Sequence, residues 1–530
     1  MSSDPSATRT RQAAPLSADA VVERIPALTV LGHAEIARVG ERATLAGLGA
    51  GEPVALSRTS PMFSPRVGGG PRPLADPFVS REPLAVIAQH GAELRIQRQG
   101  AASLRVDGVD LAGERTISTE DLDRGVVLEL ADRVVLLLHR VDAVEGRKPP
   151  RFDLVGDSDG MQKLRREIAR VAATDLRVLV RGETGSGKEL VARAIHGASA
   201  RARGPYVAVN MGAVQPSLAT SALFGHVRGA FSGAVGDHDG HFVAADGGTL
   251  FLDEIGDTDA TVQAMLLRTL ETSEVQRVGD RRVRKVDVRL VTATDADLEA
   301  EVDAGRFREP LLHRIGELTL RVPPLRERRD DIGRLIVHFA REQLDADDQR
   351  RLLDGEIAER PWLSAAVIAR LARATWTGNI RQLRNVVRQL VVLGRDEPAI
   401  TIGPEIEASL GGAPSPSARV EVAEAAPAAP PTPARAKGKK PQDLTEDEIL
   451  EALAKAGWRR GPAADLLGIA RSSLYALLAA NKRLVRSHDL TAEQLDDALA
   501  RHDGDIARVA EELQVSEHAV KLRMQALGKR

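Results

Sequence analysis

At 530 residues the chain is too long for a single core and is expected to divide into about three or four domains. Its charged residues, 28% of the total, nearly cancel to a net −2, so any surface for nucleic acid is local to one domain; the lack of cysteine excludes disulfides, thiolate zinc sites and cysteine nucleophiles and fits a reducing compartment. No apolar run approaches about 20 residues, and "MSSDPSATRTRQAAP" lacks the apolar core of a signal peptide, which reads as a cytoplasmic protein.

Residues 1–26, polar and rich in Ser, Ala and Arg, are expected to be disordered. Over 27–145 come the short β-type runs "PVAL", "LAVIAQ", "ELRIQ", "SLRVDGVDL", "GVVLEL" and "RVVLLLHRV", separated by Gly, Pro and Asp turns, the pattern of a small β-sandwich. From 152 to 320, helical patterns alternate with the apolar strands "LRVLV", "GTLFLDE" and "VRLVTAT", which predicts an α/β core with a parallel sheet; a helical segment, 321–410, follows. Residues 411–441 form an Ala/Pro-rich linker with a basic end.

The nucleotide chemistry sits on the first two apolar strands of the core. "GETGSGKE" follows "LRVLV" and opens a helix: Gly182, Glu183, Thr184, Gly185, Ser186, Gly187, Lys188 and Glu189 have the spacing of a P-loop. Its glycines let backbone N–H groups wrap phosphates, and Lys188 reaches the β and γ oxygens of ATP. Glu189 stands where many P-loops carry the hydroxyl that ligates Mg²⁺. "GTLFLDE" ends in Asp253, placed to hold Mg²⁺, and Glu254, placed to orient the attacking water. Arg308 and Arg314 in "FREPLLHRIGELTLRVPPLRER" have the reach to approach a γ-phosphate within the chain or across a subunit boundary; the alternative is solvated helix arginines. "WTGNIRQLRNVV" starts a helix at Gly378 and Asn379 and directs Arg381 toward a partner, or is simply a capped helix packed under Trp376. Between these pieces, "HVRGAFSGAVGDHDG" puts Phe231 on a glycine-hinged loop, where a core position is not expected.

The tail repeats itself. Leu444-Thr445 aligns with Leu490-Thr491, and Ala464, Leu467, Ile469 and Leu474 with Ala510, Leu513, Val515 and Val520. Each copy, 442–484 and 488–530, reads as an amphipathic helix followed by helix-turn-helix spacing, with two ordinary helical hairpins as the alternative. In the first copy Arg471, Ser472, Ser473 and Tyr475 supply phosphate and base contacts to DNA. In the second, Glu517 opposes phosphate approach while Lys521 and Arg523 favour it.

These motifs together resemble the bacterial enhancer-binding proteins, AAA+ ATPases that activate RNA polymerase carrying sigma-54. The likeness covers roughly 152–410 and the first tail repeat, which is similar to a Fis-type helix-turn-helix. Its most specific piece is "GAFSGA": Gly229, Ala230, Phe231, Ser232, Gly233 and Ala234 resemble the GAFTGA loop that touches sigma-54 in response to the γ-phosphate. The resemblance implies that Glu189 is the usual residue after the lysine and that Asn210 restrains the catalytic Glu254. It also implies that Arg308 and Arg314 are trans-acting fingers in a ring, by family habit a hexamer, and that Arg381 is the lid's sensor. Thr294 matches the sensor threonine. Two departures stand out: Asp295 replaces Asn or His after Thr294, and Pro310 replaces an acidic residue in the finger helix. The strands of 27–145 resemble a forkhead-associated domain, which implies phosphothreonine binding through Arg58, Ser80 and Arg81 and a Ser/Thr kinase upstream. There Asp107-Gly108 stands for Asn-Gly, and a sandwich that binds protein without phosphate is the alternative. Two other functions share parts of this pattern: an AAA+ remodelling ATPase, which needs neither "GAFSGA" nor the tail, and a DNA-bound repressor or scaffold, which needs no intact motor.

Overall fold

The computed structural model describes residues 23–65, 68–143, 149–231, 234–346, 351–354, 361–411, 448, 451–452, 455, 463, 467, 492–502, 506–512 and 520. They divide into two compact units, within Met1–Val420 and Glu421–Arg530. The first 22 residues, nearly all of the 411–441 linker and the base-reading positions of both tail repeats lie outside the described residues.

The first unit begins with strands β1 (Arg24–Gly32), β2 (Arg42–Thr44), β3 (Val54–Leu56), β4 (Ala85–His90), β5 (Glu93–Arg98), β6 (Leu104–Val106), β7 (Val109–Asp110), β8 (Glu114–Ile117), β9 (Val126–Leu130) and β10 (Val134–Asp142). They pair antiparallel in two sheets, β2-β1-β10-β9-β6-β7 and β3-β4-β5-β8. Helix α1 (Thr119–Arg124) is set between β8 and β9 by a capping box of Ser118 and Asp121 and ends at Gly125. Strand β9, "VVLEL", is buried at all five positions. Val126, Leu128 and Leu130 share one core with Leu28, Leu136, Ile87 and Ile96. Val127 points the other way, into a cluster with Leu31, Val135, Leu137 and the helices beyond. A strand covered on both faces needs no polar alternation, which is why the run is apolar at every position but one. Its one charged residue, Glu129, is pushed up by burial and lies 3.2 Å from Arg373, outside the sheets.

The α/β core is a five-stranded parallel sheet in the order β12-β13-β16-β11-β17, formed by β11 (Val178–Arg181), β12 (Tyr206–Asn210), β13 (Thr249–Asp253), β16 (Arg289–Thr294) and β17 (Leu318–Arg321). A hairpin, β14 (Glu274–Gln276) and β15 (Val283–Lys285), stands apart from it. Helices α2 (Asp159–Ala172), α3 (Lys188–Gly197), α4 (Pro216–Phe224), α5 (Gly240–Ala244), α6 (Ala260–Thr272), α7 (Leu298–Asp303) and α8 (Glu309–Ile315) complete the core. Side-chain caps from Ser158, Asp259 and Asp297 fix the starts of α2, α6 and α7.

The helical segment comprises α9 (Ile332–Ala346), α10 (Arg351–Asp354), α11 (Ala365–Ala372), α12 (Asn379–Gly394) and α13 (Pro404–Ser409). Trp376 is buried, its indole donating to the Leu371 carbonyl at 2.9 Å, and closes the turn between α11 and α12. Helices α9 and α11 cover the outer face of the six-stranded sheet, so that Leu31, Val127, Val135 and Leu137 share one cluster with Ile336, Ile368 and Leu371. Each such side chain contributes about 1.5–3 kcal/mol through burial. Sheets and helices are therefore packed together, although the sequence marks a boundary between them.

In the second unit, helices α14 (Ala492–Arg501) and α15 (Ile506–Glu512) are described. Leu495, Ala498 and Val509 are buried, and Arg501 pairs with Glu512 at 2.6 Å. Among the described residues no helix is long and apolar enough to cross a membrane.

Candidate functional site

In an open parallel sheet the crevice at the carboxyl ends of the strands is where ligands sit. Here β11 runs into the P-loop, β12 ends at Asn210, β13 at Asp253 and β16 at Thr294. Lys188 is buried at the start of α3, with its ammonium donating to the Gly182 carbonyl at 2.9 Å. Gly185 and Gly187 have φ of +75° and +105°. Ser186 is buried, and its hydroxyl has no protein partner.

The helical lid lies directly on this loop. The Arg381 amide donates to the Gly185 carbonyl at 3.3 Å, and a methyl group on Gly185 would stand 2.5 Å from the Gly378 carbonyl oxygen. Asn379, fully buried with φ +52°, donates to the Glu183 carboxylate at 3.0 Å and the Thr184 carbonyl at 3.1 Å, and accepts the Leu325 amide at 2.8 Å. Hydrogen bonds from Arg326 and then Asn379 hold the Glu183 carboxyl below the usual range. The Arg381 side chain itself is exposed.

Across the crevice, burial pushes the Asp253 carboxyl up while Lys188 draws it back. Its Oδ1 accepts the Glu254 amide at 3.1 Å, and Glu254 takes a left-handed conformation that turns the chain off the strand. Asn210, beside Asp253 in the sheet register, accepts the Ala213 amide at 3.0 Å. A methyl on Gly212 would meet Glu254 Oε2 at 2.5 Å, Asp257 Oδ2 at 2.9 Å and Asn210 Oδ1 at 3.4 Å, so these three groups converge. Burial, with Glu254 and Asp295 nearby, raises Asp257. Thr294 is buried and caps the Ala296 amide at 3.0 Å, and Asp295 accepts the Thr184 hydroxyl of the P-loop. Glu189 is exposed and pairs with Arg193 at 2.8 Å.

Arg308 and Arg314 are not brought to this crevice. Arg308 is exposed at the start of α8, its amide held by Gln263 of α6 at 2.9 Å; Arg314 is half-buried, with its Nε unpartnered. Among the described residues neither guanidinium bonds to the P-loop, Asp253, Glu254 or Asn210. Pro310 occupies the first turn of α8, where the missing N–H would have no intrahelical partner anyway.

The loop from Gly229 is tied at its base. His226 and His238 exchange backbone hydrogen bonds at 2.8 and 2.9 Å, and Val227 donates to Val278 at 3.1 Å. Gly229, at φ +80°, donates to the Ala234 carbonyl, and Ala234 to the Phe231 carbonyl, both at 3.0 Å. Phe231 is 37% exposed, with its ring edge-on to His226 at 5.0 Å between centroids. It belongs to none of the apolar cores. Gly229 is exposed, Ala230 half-buried and Ala234 buried, and Ser232 and Gly233 lie outside the described residues.

In the N-terminal sheets, the loops carrying Arg58 and Ser80 are joined: the Arg58 amide donates to the Ser80 carbonyl at 2.9 Å, and its guanidinium to the Pro77 carbonyl at 3.1 Å. Arg81 is exposed beside them, as is Phe78, with the Arg133 guanidinium 4.4 Å from its ring centre. The Asp107-Gly108 turn does not join this group. It lies at the opposite end of β6, where Asp107 accepts the Val127 amide at 3.0 Å and Gly108 lies against the Arg373 side chain. Arg471, Ser472, Ser473 and Tyr475 lie outside the described residues.

Sequence reasoning missed Asn379 as the residue that bonds the lid to the P-loop, and Asp257 as a member of the carboxylate group. For Asn379 the available signal was an asparagine after glycine at a helix start, a position that tolerates its positive φ.

The Sigma-54 interaction domain family matches residues 154–321, the AAA+ ATPase lid domain 326–404, and the bacterial regulatory protein, Fis family, 445–479. The transcriptional regulatory protein ZraR of Escherichia coli is 42% identical over 342 residues, 64% of this chain and 72% of its own length. The anaerobic nitric oxide reductase transcription regulator NorR of Escherichia coli is 48% identical over 254 residues, 48% of this chain and 49% of its own. Among solved structures, NtrX from Brucella abortus in complex with ATP is 31% identical, covering 63% of this chain and 70% of its own, with a TM-score of 0.42. With three consecutive family matches on the regions that carry the P-loop, the lid and the tail, the chain belongs to the sigma-54-dependent transcriptional regulators, AAA+ ATPases that bind DNA through a Fis-type helix-turn-helix.

Proposed function

We propose that this protein is a cytoplasmic, ATP-driven activator that binds enhancer DNA, assembles as a ring, and remodels sigma-54 polymerase through the Phe231 loop in response to a phosphothreonine-type signal. The observation that carries the reading is the coexistence of a crevice that gathers Lys188, Asn210, Asp253 and Glu254 with a phenylalanine left outside every core on a tied-down loop. A buried phenylalanine adds stability; an exposed one at the tip of a closed loop is suited to contact another protein.

In the crevice, Lys188 leaves the Gly182 carbonyl to meet the β and γ oxygens, and the P-loop amides cradle the phosphates. Glu254 orients the attacking water and accepts its proton, and Asn210 sets the position of that carboxylate by way of the Gly212 approach. Among the described residues no cluster of three metal-ligating side chains forms. Mg²⁺ typically binds through one or two carboxylates, phosphate oxygens and water, and the half-desolvated Asp253 carboxylate opposite Lys188 fits that role. When bound, Mg²⁺ supplies charge neutralisation at the β and γ oxygens. Arg308 and Arg314, which among the described residues form no bond to their own P-loop, are suited to reach a neighbour's, and this reading takes them as fingers in a ring, by family habit a hexamer. Arg381 on the lid reads the phosphates from above, with Thr294 and Asp295 below.

Arg58 and Ser80, stitched together at one end of two sheets that form a forkhead-associated-type sandwich, suit a phosphate dianion, with Arg81 at the rim. The tail reads DNA through Arg471, Ser472, Ser473 and Tyr475.

The test separates output from engine. Phe231→Ala should keep hydrolysis within about threefold of wild type and melt within about 2 °C of it, since less than about 1 kcal/mol of packing is removed, yet lose sigma-54 capture with a γ-phosphate mimic. Lys188→Ala should abolish hydrolysis and keep DNA binding. Parallel loss of melting temperature and hydrolysis in Phe231→Ala, as a core phenylalanine would show at a cost of about 3–5 kcal/mol, sinks the contact-loop reading.

A further inference from the structure

Between β17 and α9 the chain passes through two short 3₁₀ turns, Leu325–Glu327 and Arg329–Asp331. Successive side chains of this segment hold different parts of the molecule. Arg326 forks onto the Glu183 carboxylate of the P-loop at 2.6 and 2.8 Å. Arg328, 1% exposed, donates to the Ser186 carbonyl of the same loop at 3.1 Å. The two residues that follow them hold the N-terminal sheets. Arg329 donates to the Gly125 and Arg124 carbonyls at 2.6 and 2.8 Å and, through its other nitrogens, to the Ala372 carbonyl of α11 at 2.9 and 3.2 Å. Asp330 accepts Arg42 of β2 at 2.7 Å, and both side chains are buried. Arg42 also lies 3.3 Å from Asp159, whose second oxygen accepts the Asp142 amide at the end of β10.

Buried charged groups of this kind have one low-energy arrangement, because removing one partner leaves the other desolvated and unpaired. Arg328 and Arg329 are adjacent in the chain, so a displacement of the sheets against Arg329 and Asp330 moves the backbone that carries Arg328 and Arg326. The P-loop carbonyls of Thr184, Gly185 and Ser186 are all engaged from this side of the molecule, by Asn379, Arg381 and Arg328.

We propose that Arg326–Asp331 is a strut through which the N-terminal sheets set the position of the P-loop, with Arg42–Asp330 and Arg329 as its sheet-side anchors and Arg326 and Arg328 as its loop-side anchors. The docked sheets are then a positioning element for nucleotide binding in the same chain. Loosening the dock weakens nucleotide affinity and leaves the chemical step intact, because Glu254, Asp253 and Lys188 are not touched by the strut. This inference concerns the ATPase alone and does not depend on what the Arg58 end of the sheets binds.

The test uses the full-length protein and variants outside the nucleotide site. Arg42→Gln should raise the KM for ATP and the Kd for a fluorescent ADP about three- to tenfold, with kcat within about twofold. Amide hydrogen exchange over 182–188 should quicken in the same variant. Arg42→Lys, which keeps the charge opposite Asp330, should restore most of the affinity. In Arg42→Gln/Asp330→Asn the loss should be no larger than in the worse single variant, the signature of coupled partners. Should Arg42→Gln fail to fold, the near-isosteric Asp330→Asn carries the same measurements. A wild-type KM and wild-type exchange over 182–188 in the folded variant overturn the proposal. So does a fall in kcat at unchanged KM, and so does an equal loss in Arg42→Lys and Arg42→Gln.

Discussion

Two glycine-rich loops face opposite demands in this molecule. In the P-loop, Gly185 has φ +75° and is pressed against the Gly378 carbonyl and Arg381 of the lid. In the loop that carries Phe231, Gly229 has nearly the same φ, +80°, but a methyl group there would meet nothing within 4 Å. The first loop uses glycine so that a second piece of backbone can approach closely, and the second uses it only for a left-handed turn. The same residue in the same backbone conformation thus builds a held surface in one place and a free one in the other.

The largest effect that tests this contrast comes from substituting both glycines. Gly185→Ala places a methyl on the lid's backbone in addition to the strained φ, and should lower nucleotide affinity at least tenfold, about 1.4 kcal/mol or more. Gly229→Ala pays only the left-handed strain of about 1 kcal/mol and should leave hydrolysis within about twofold of wild type. Isothermal titration with an ATP analogue and a steady-state assay on both proteins decide it. Comparable losses in the two variants would mean that the free loop is coupled to the crevice in the unliganded protein, contrary to the open space around Gly229.

A smaller effect is expected at the floor of the crevice. Asp295 binds the Thr184 hydroxyl and places an exposed negative charge where the family resemblance expects a neutral or basic side chain. In the proposed binding mode this charge faces the phosphates of ATP and opposes binding, by about 0.4–1 kcal/mol for an exposed pair. Asp295→Asn keeps an acceptor for Thr184 and removes the charge, so ATP affinity should rise about two- to fivefold at low salt and the gain should shrink as salt is added. An unchanged affinity at low salt would show that the solvent already screens Asp295.

How much of this was legible in the sequence follows the range of each interaction. The P-loop was readable because its chemistry is local: spacing alone places the glycines and Lys188 between a strand and a helix. Asp253 and Glu254 were readable because an apolar strand ending in two carboxylates is itself a local pattern. Asn379 was not, because its bond to Glu183 spans 196 residues of sequence. The cover over the N-terminal sheet was not legible. The run "GVVLEL" reads as one short strand of a sandwich, but nothing local says that α9 and α11 cover its second face. Of the two arginines read as helical, Arg314 lies on α8 and Arg308 is the extended residue that precedes it, and where they stand relative to the crevice depends on how α8 packs against α6.

The smallest effect concerns what holds the P-loop from beneath. Arg328 supports Ser186 and is itself buried among Asp330, Asp331 and Arg165. Asp331 accepts the Asp157 and Ser158 amides at 2.5 and 2.9 Å, and burial together with the neighbouring Asp330 pushes it up to about 7 against the pull of Arg328. A carboxyl whose folded value lies above its ordinary 3.8 binds its proton more tightly in the native state. The stability it contributes is complete below the unfolded value and is lost as pH rises toward about 7. Wild-type protein should therefore lose melting temperature between about pH 4 and about pH 7. Asp331→Asn, which cannot ionise, should lose about 2–4 °C less over the same range, and the two curves should run parallel above it. The Gly229 loop contains no carboxylate between Gly229 and Ala234, so Phe231→Ala should follow the wild-type pH curve throughout. A Asp331→Asn curve that falls as steeply as wild type would place the titrating group elsewhere and leave the P-loop's support independent of pH.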